Sequence, residues 1–295
     1  MTDIELTPVD PLLTPLGATT PGTATGRRRD RRWRLWVPLG AIVVVVLAGF
    51  FAPLPYDPTA PDATAVLTAP SGEHWLGTDR FGLDVFSRLV ASAAKDIPLA
   101  AIGMMISLVL GVPLGLFASR KGRLGEWIVR ALDMFQAFPL LILAIAVVAL
   151  MGNKIENIVV AIAIINIPRF IRLVRSEGLT IRESRYIEAA HAVGAGDLRI
   201  MFRHLLPNMT GTILAQASLA VAHAVVVIAA LSFLGIGISS SDTSWGAMIQ
   251  TGAQNMTTGQ WWVSLFPGVA VFLTVLCFNA VADALQSEFG KAKAR

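Results

Sequence analysis

Few residues in this chain are of a type that does chemistry, and most of those stand alone in apolar surroundings. His223, Gln216, Asn166, Asn279 and Asp283 each lie in or beside a long apolar run. No His/Cys/Asp cluster has metal-ligand spacing, and no nucleophile stands with a base in a hydrolase-like pattern. A G-x-x-x-x-G-K-[ST] loop is absent, so the chain carries no phosphate cradle of that type. The one cysteine, Cys277, excludes an intrachain disulfide. Lone polar groups in apolar runs either line a polar path or make interhelical hydrogen bonds, the latter contributing about 0.6 kcal/mol on average. His223, Gln216 and Asn166 are the candidates for a path. Interhelical bonding is the stronger reading for Asn166 and Asn279, and Asp283 is expected at a solvated interface. One polar stretch differs in kind: Tyr186 to Asn208, helical in pattern, broken by Gly194 and Gly196 and closed by Pro207.

The elements around these residues read as membrane spans. The chain has 295 residues, 54% hydrophobic and only 15% charged, with a mean hydropathy of +0.63. Soluble domains carry about a quarter charged residues, so an all-α polytopic membrane protein is expected. Six runs reach roughly the ~20 residues that cross a bilayer: Leu35–Phe51, Ile97–Ala118, Trp127–Met151, Ile155–Phe170, Thr210–Ile238 and Trp262–Leu285. None shows the alternation of a barrel strand. The first run lacks a cleavage site before Pro53 and reads as an uncleaved span. Residues 1–34 form a tail, disordered and then basic, with six arginines between Arg27 and Arg34. Residues 35–290 are the six-span domain, and 291–295 a short C-terminal tail. Residues 52–96 form an external loop ending in a short amphipathic surface helix, on which Asp84 and Arg88, four apart, read either as an exposed i,i+4 pair or as part of a docking site for an external binding protein. With both termini inside, 20 of the 24 Lys and Arg residues fall on the cytoplasmic side. Pro98, Pro113 and Pro168 are placed near span ends. Gly103, Gly111 and Gly115 read as a close-packing stripe ahead of a hinge.

The cytoplasmic stretch divides into a helix from Ser184 to His191, a glycine elbow, and a second helix capped by Asp197 and ended by Pro207. Its segment "EAAHAVGAGDLRIMFRHLLP" resembles the E-A-A-x3-G…L-P signature of integral membrane subunits of binding-protein-dependent ABC importers. Glu188, Ala189, Ala190, Gly194, Leu206 and Pro207 fall on the motif, with His204 where Ile is frequent. "RHLLPN", "HWLGTDRFGLDVFSRL" and "LSFLGIG…SWGAMI" resemble the dipeptide, oligopeptide and nickel branch, and the C-type subunit of its dipeptide permeases most. In "ASAAKDIPL" the chain departs from the branch: Ala94 stands for an Arg and Asp96 for a Ser. A gating role tied to that Arg is not carried over.

The resemblance implies a type I importer permease fold and half of a translocation pore. It implies a coupling loop, 171–208, with Glu188, Ala189, Ala190, Gly194, Asp197, His204 and Pro207 docking into separate ATPase subunits. ATP and Mg would be bound there and not on this chain. A second, homologous permease (making a heterodimer), two ATP-binding subunits, an extracytoplasmic substrate-binding protein and membrane lipid are the implied partners; nucleic acid is not among them. The implied place is the bacterial plasma membrane. The implied cargo is dipeptides or short oligopeptides, with nickel, glutathione or haem as alternatives. A stand-alone channel or secondary transporter would need repeats or buried charge pairs along the spans, and a membrane enzyme would need a convergent catalytic set. The sequence shows little of either.

Overall fold

The computed structural model describes residues 33–120, 122–237 and 243–292; the tail through Arg32, with five of the six clustered arginines, residues 293–295, and Ile238, the expected end of the fifth span, lie outside the described residues. Ten α-helices follow one another among the described residues. They are α1 (Trp33–Phe51), α2 (Val85–Ala118), α3 (Arg123–Gln136), α4 (Leu140–Met151), α5 (Ile155–Arg182), α6 (Arg185–Ala192), α7 (Asp197–Ile200), α8 (Leu206–Phe233), α9 (Trp245–Ala253) and α10 (Trp262–Ala292). Among the described residues there is no strand, only an isolated bridge between Thr78 and Asp84. Five helical stretches are long and apolar enough to cross a bilayer, and six result if α3 and α4 count as one broken span. This is the all-α architecture expected of the chain.

The core lies where α2 packs on α5 and α8 packs on α10. Small residues set the first contact. A Cβ at Gly103, Gly111 or Gly115 would stand 2.7 Å from Ile162, Phe170 or Val174, closer than side chains approach. The stripe therefore serves close helix packing. On the other side, the Ser218 hydroxyl donates to the Phe278 carbonyl at 2.6 Å, joining α8 to α10.

Several boundaries differ from the sequence expectation. The expected surface helix before residue 96 is instead the first turns of α2, which runs unbroken for 34 residues. Asp84 starts it by accepting a hydrogen bond from the Ser87 amide at 2.8 Å. Asp84 and Arg88 do not form an exposed pair. Both are buried, Asp84 against His74 at 2.9 Å and Arg88 against Asp79 at 2.9 Å. Asp79 also accepts from the Phe81 and Leu83 amides, and the Trp262 indole donates to the Thr78 carbonyl at 3.2 Å. The loop between α1 and α2 is thus a folded cap with a polar core, held on the start of α10. Pro98 lies inside α2 and Pro168 inside α5, each thirteen residues past the helix start, while Pro113 lies five residues before the end of α2, near a span end as expected.

The expected third span is two helices bent by 88° at a break before Pro139. Phe138 precedes a proline, which disfavours helical backbone there, and Pro139 enters α4 in an extended conformation. The fourth span continues twelve residues past Phe170, to Arg182. The short α9, unexpected from the sequence, is packed between α8 and α10 with Trp245 1% exposed.

Candidate coupling loop and polar face

The stretch from Tyr186 to Asn208 forms a projecting knob. Its inner face is apolar and buried: Ile187, Ile200, Met201 and Leu205 are all at or below 1% exposure. Helix α6 follows Ser184, whose hydroxyl donates back to the Ile181 carbonyl at 2.6 Å. It ends at a left-handed glycine, Gly194, with φ +83°. The Gly194 amide donates to the His191 carbonyl and the Ala195 amide to the Ala190 carbonyl. That double bond pattern is the Schellman end, which needs the positive φ that glycine supplies. The elbow is therefore fixed in shape.

Asp197 does not cap the second helix. Its carboxylate sits between two arginines, with Arg120 Nε at 3.0 Å and Arg182 Nη1 at 3.1 Å. Arg120 follows the end of α2 and Arg182 ends α5, so one side chain ties the knob to two spans. Nor does Pro207 end a helix. The chain widens into a π-turn over Met201–Leu205 and runs on as α8. Proline lacks the amide for an i→i−4 bond and its ring crowds the carbonyl four residues back, and a π-turn accommodates both. His204 is half-buried beside Tyr186, ring centroids 6.2 Å apart, and Asn208 donates to the Tyr186 hydroxyl at 3.1 Å and to the His204 carbonyl at 2.7 Å.

The outer face carries Glu188, Ala189, His191 and Gly194, all exposed, with Ala190 half-buried. A cleft of about 470 Å³ opens beside it between Arg182, Glu188, His191 and Asp197. A Cβ at Gly194 would meet nothing within 4 Å in this chain. Sequence reasoning missed the apolar part of this face: Val193 is 85% exposed, Leu198 58% and Phe202 51%. The signal available was their isolation in a polar stretch, since no apolar periodicity places them inward.

The three candidate path residues are not brought together. Gln216 and His223, seven positions apart, share one outward stripe of α8, half-buried and exposed respectively. His223 Nδ1 lies 2.8 Å from the Leu219 carbonyl on its own helix, so it makes no interhelical bond among the described residues. Asn166 is 3% exposed on α5 and donates to the Ile162 carbonyl at 2.9 Å, a bond within its own helix and not the interhelical bond expected of it.

The geometry agrees with the comparisons. The family model described as "Binding-protein-dependent transport system inner membrane component" matches residues 111–292. The dipeptide transport system permease protein DppC of Alkalihalophilus pseudofirmus is 40% identical over 84% of this chain and 83% of its own length. The glutathione transport system permease protein GsiD of Pectobacterium atrosepticum is 38% identical over 88% and 87%. The di/tripeptide transport system permease protein DppC of Pseudomonas aeruginosa is 37% identical over 83% and 84%. A match of this extent, on a helical chain of five or six spans, identifies the protein as a member of the family of inner membrane components of binding-protein-dependent transport systems.

Proposed function

We propose that this chain is the permease subunit of an ATP-driven importer of short peptides and forms half of its translocation pore beside a homologous, non-identical permease. ATP and Mg are bound and turned over on separate subunits, and an extracytoplasmic binding protein delivers the peptide. Both termini lie in the cytoplasm of a bacterial cell, as the 20-to-4 basic split favours. Support for the peptide cargo comes from relatives named for dipeptides, di/tripeptides and glutathione, itself a tripeptide. In this reading Glu188, Ala189, Ala190, Gly194, Asp197, His204 and Pro207 belong to the ATPase-coupling loop. The outward stripe of Gln216 and His223 faces the path. Polar groups on an outward face are too costly to leave against lipid.

The observation that carries the reading is the knob: rigid, backed by apolar packing, and tipped with an apolar side chain 85% exposed at Val193. Such a tip is suited to an ATPase groove. Val193→Asp tests it cleanly, because an exposed position costs folding no more than about 0.5 kcal/mol. Pressed into a protein groove, the new carboxylate is desolvated at several kcal/mol. We expect normal insertion and pairing with the second permease, but recovery of the ATPase subunits on co-purification reduced at least tenfold. Full recovery with full peptide uptake would show the knob to be an ordinary connector.

A further inference from the structure

Arg169 lies fourteen positions into α5, about 21 Å from the helix's outer end at 1.5 Å per residue. That depth is within the ~30 Å hydrocarbon layer. Other arginines of the inner half have a carboxylate beside them, Arg172 with Asp133 at 2.6 Å and Arg120 and Arg182 sharing Asp197, while Arg175 donates to the Ala118 carbonyl at 3.2 Å. Among the described residues no carboxylate lies within ion-pair reach of Arg169. Its one hydrogen bond is a long one, Nη1 to the Asn166 Oδ1 at 3.3 Å. Asn166 is itself buried and held by the Ile162 carbonyl, so it aims the guanidinium and does not neutralise it.

The half-buried Arg169 borders a cavity of about 330 Å³ where the α3–α4 elbow faces α5. Phe135, Phe138, Pro139, Leu143 and Ile165 form most of the wall, and Gln136 is the only other hydrogen-bonding side chain lining it. The volume is that of a small-molecule site. The guanidinium presents five N–H donors in a fork that matches a carboxylate. Apolar walls lower the local dielectric and strengthen such a pair. They also accept side chains of varied shape without specific demands.

We infer that this elbow cavity is a waypoint that takes the carboxylate of a peptide cargo onto Arg169, with Asn166 as a positioning residue. The inference rests on the peptide reading above. An anionic lipid headgroup presents similar chemistry, and the test separates the two.

The assembled transporter, with its partner permease, ATPases and binding protein, is placed in vesicles of phosphatidylcholine alone or with phosphatidylglycerol. Uptake of alanyl-alanine is measured at saturating binding protein, alongside basal ATP hydrolysis. Arg169→Gln should lower uptake about tenfold with basal hydrolysis retained, and Arg169→Lys should fall between, equally in both membranes. Leu143→Trp, which fills the cavity and keeps the cation, should lower uptake too, and it carries the test if Arg169→Gln fails to assemble. Unchanged uptake in Arg169→Gln overturns the inference. So does a loss confined to phosphatidylglycerol vesicles, which assigns Arg169 to lipid, and so does a joint loss of basal hydrolysis in the Gln and Lys forms, which marks a structural role. An unaltered transporter that moves no peptide of any sequence refutes the peptide reading itself, an outcome distinct from all of these.

Discussion

Asp96 is predicted to hold α9 in place from a different helix. The residue is 1% exposed on α2, and its Oδ2 accepts from the Trp245 amide at 2.9 Å and the Ser244 hydroxyl at 3.2 Å. Ser244 stands at the N-cap position of α9 but makes no capping bond of its own. The cap therefore comes from Asp96, 149 residues earlier in the chain. Asp96→Ala removes the acceptor from two buried donors. Loss of a cap costs about 0.5–2 kcal/mol, and each buried donor left unsatisfied about 1–3 kcal/mol. The two descriptions overlap, so a total of about 2–4 kcal/mol is expected. At about 2–4 °C per kcal/mol for a chain of this size, Tm falls by about 5–15 °C. Asp96→Asn keeps one carbonyl oxygen for Trp245. It also removes a charge whose second oxygen, Oδ1, is buried without a hydrogen-bond partner. Its cost should stay within about 1 kcal/mol. Thermal unfolding in detergent, followed by a thiol-reactive dye at the half-buried Cys277, measures both variants. The cap argument is refuted if Asp96→Ala melts with the unaltered protein. It also fails if Asp96→Asn loses as much as Asp96→Ala, which would make the charge the stabilising feature.

His223→Leu should leave the melting temperature unchanged, because His223 bonds only within its own helix, and it should lower peptide uptake if the α8 stripe faces the path; equal uptake at equal expression takes His223 off it. In a Cys277→Ser background, single cysteines at Arg123 and Glu183 should react with a membrane-impermeant maleimide only after the membrane is opened. Labelling from outside would invert the topology.

The spans were legible in the sequence because each is a long apolar run, and a run of that length has one physical solution in lipid. The knob from Tyr186 to Asn208 was legible as a separate unit because its glycines and proline punctuate a polar stretch. What stayed hidden depends on contacts distant in sequence. Asp84 and Arg88 look like a local helical pair, yet each finds its partner in the preceding loop, and burial follows from that. Asp96 stood out only as a departure from a pattern; its partner lies at the other end of the chain. Asp197 reads as a cap because caps are local, but two arginines outcompete the backbone for its oxygens. Trp127–Met151 reads as one apolar run, so the 88° bend at Pro139 stayed hidden although a proline stands at it.

Under the proposed reading, a docked knob moves the pore only through what joins it to the spans, and magnitudes decide which joint matters. The Asp197 pair with Arg120 is half-exposed, so it contributes no more than about 1 kcal/mol. Ile187, Ile200 and Met201 are buried to 1% or less, and each contributes about 1.5–3 kcal/mol. Apolar packing therefore carries the load. Asp197 contributes direction, since one of its arginines, Arg120, directly follows α2 and the other, Arg182, ends α5, the helices joined by the glycine stripe. A push on the knob reaches those two helices as one body. It reaches α8 through the π-turn at Met201–Leu205, where the helical ladder is already widened. The pair α2–α5, which bears Arg169, and α8, which bears Gln216 and His223, are thus driven from one point through joints of unequal stiffness. Unequal stiffness is what turns a displacement of the knob into a change of angle between the walls of a path.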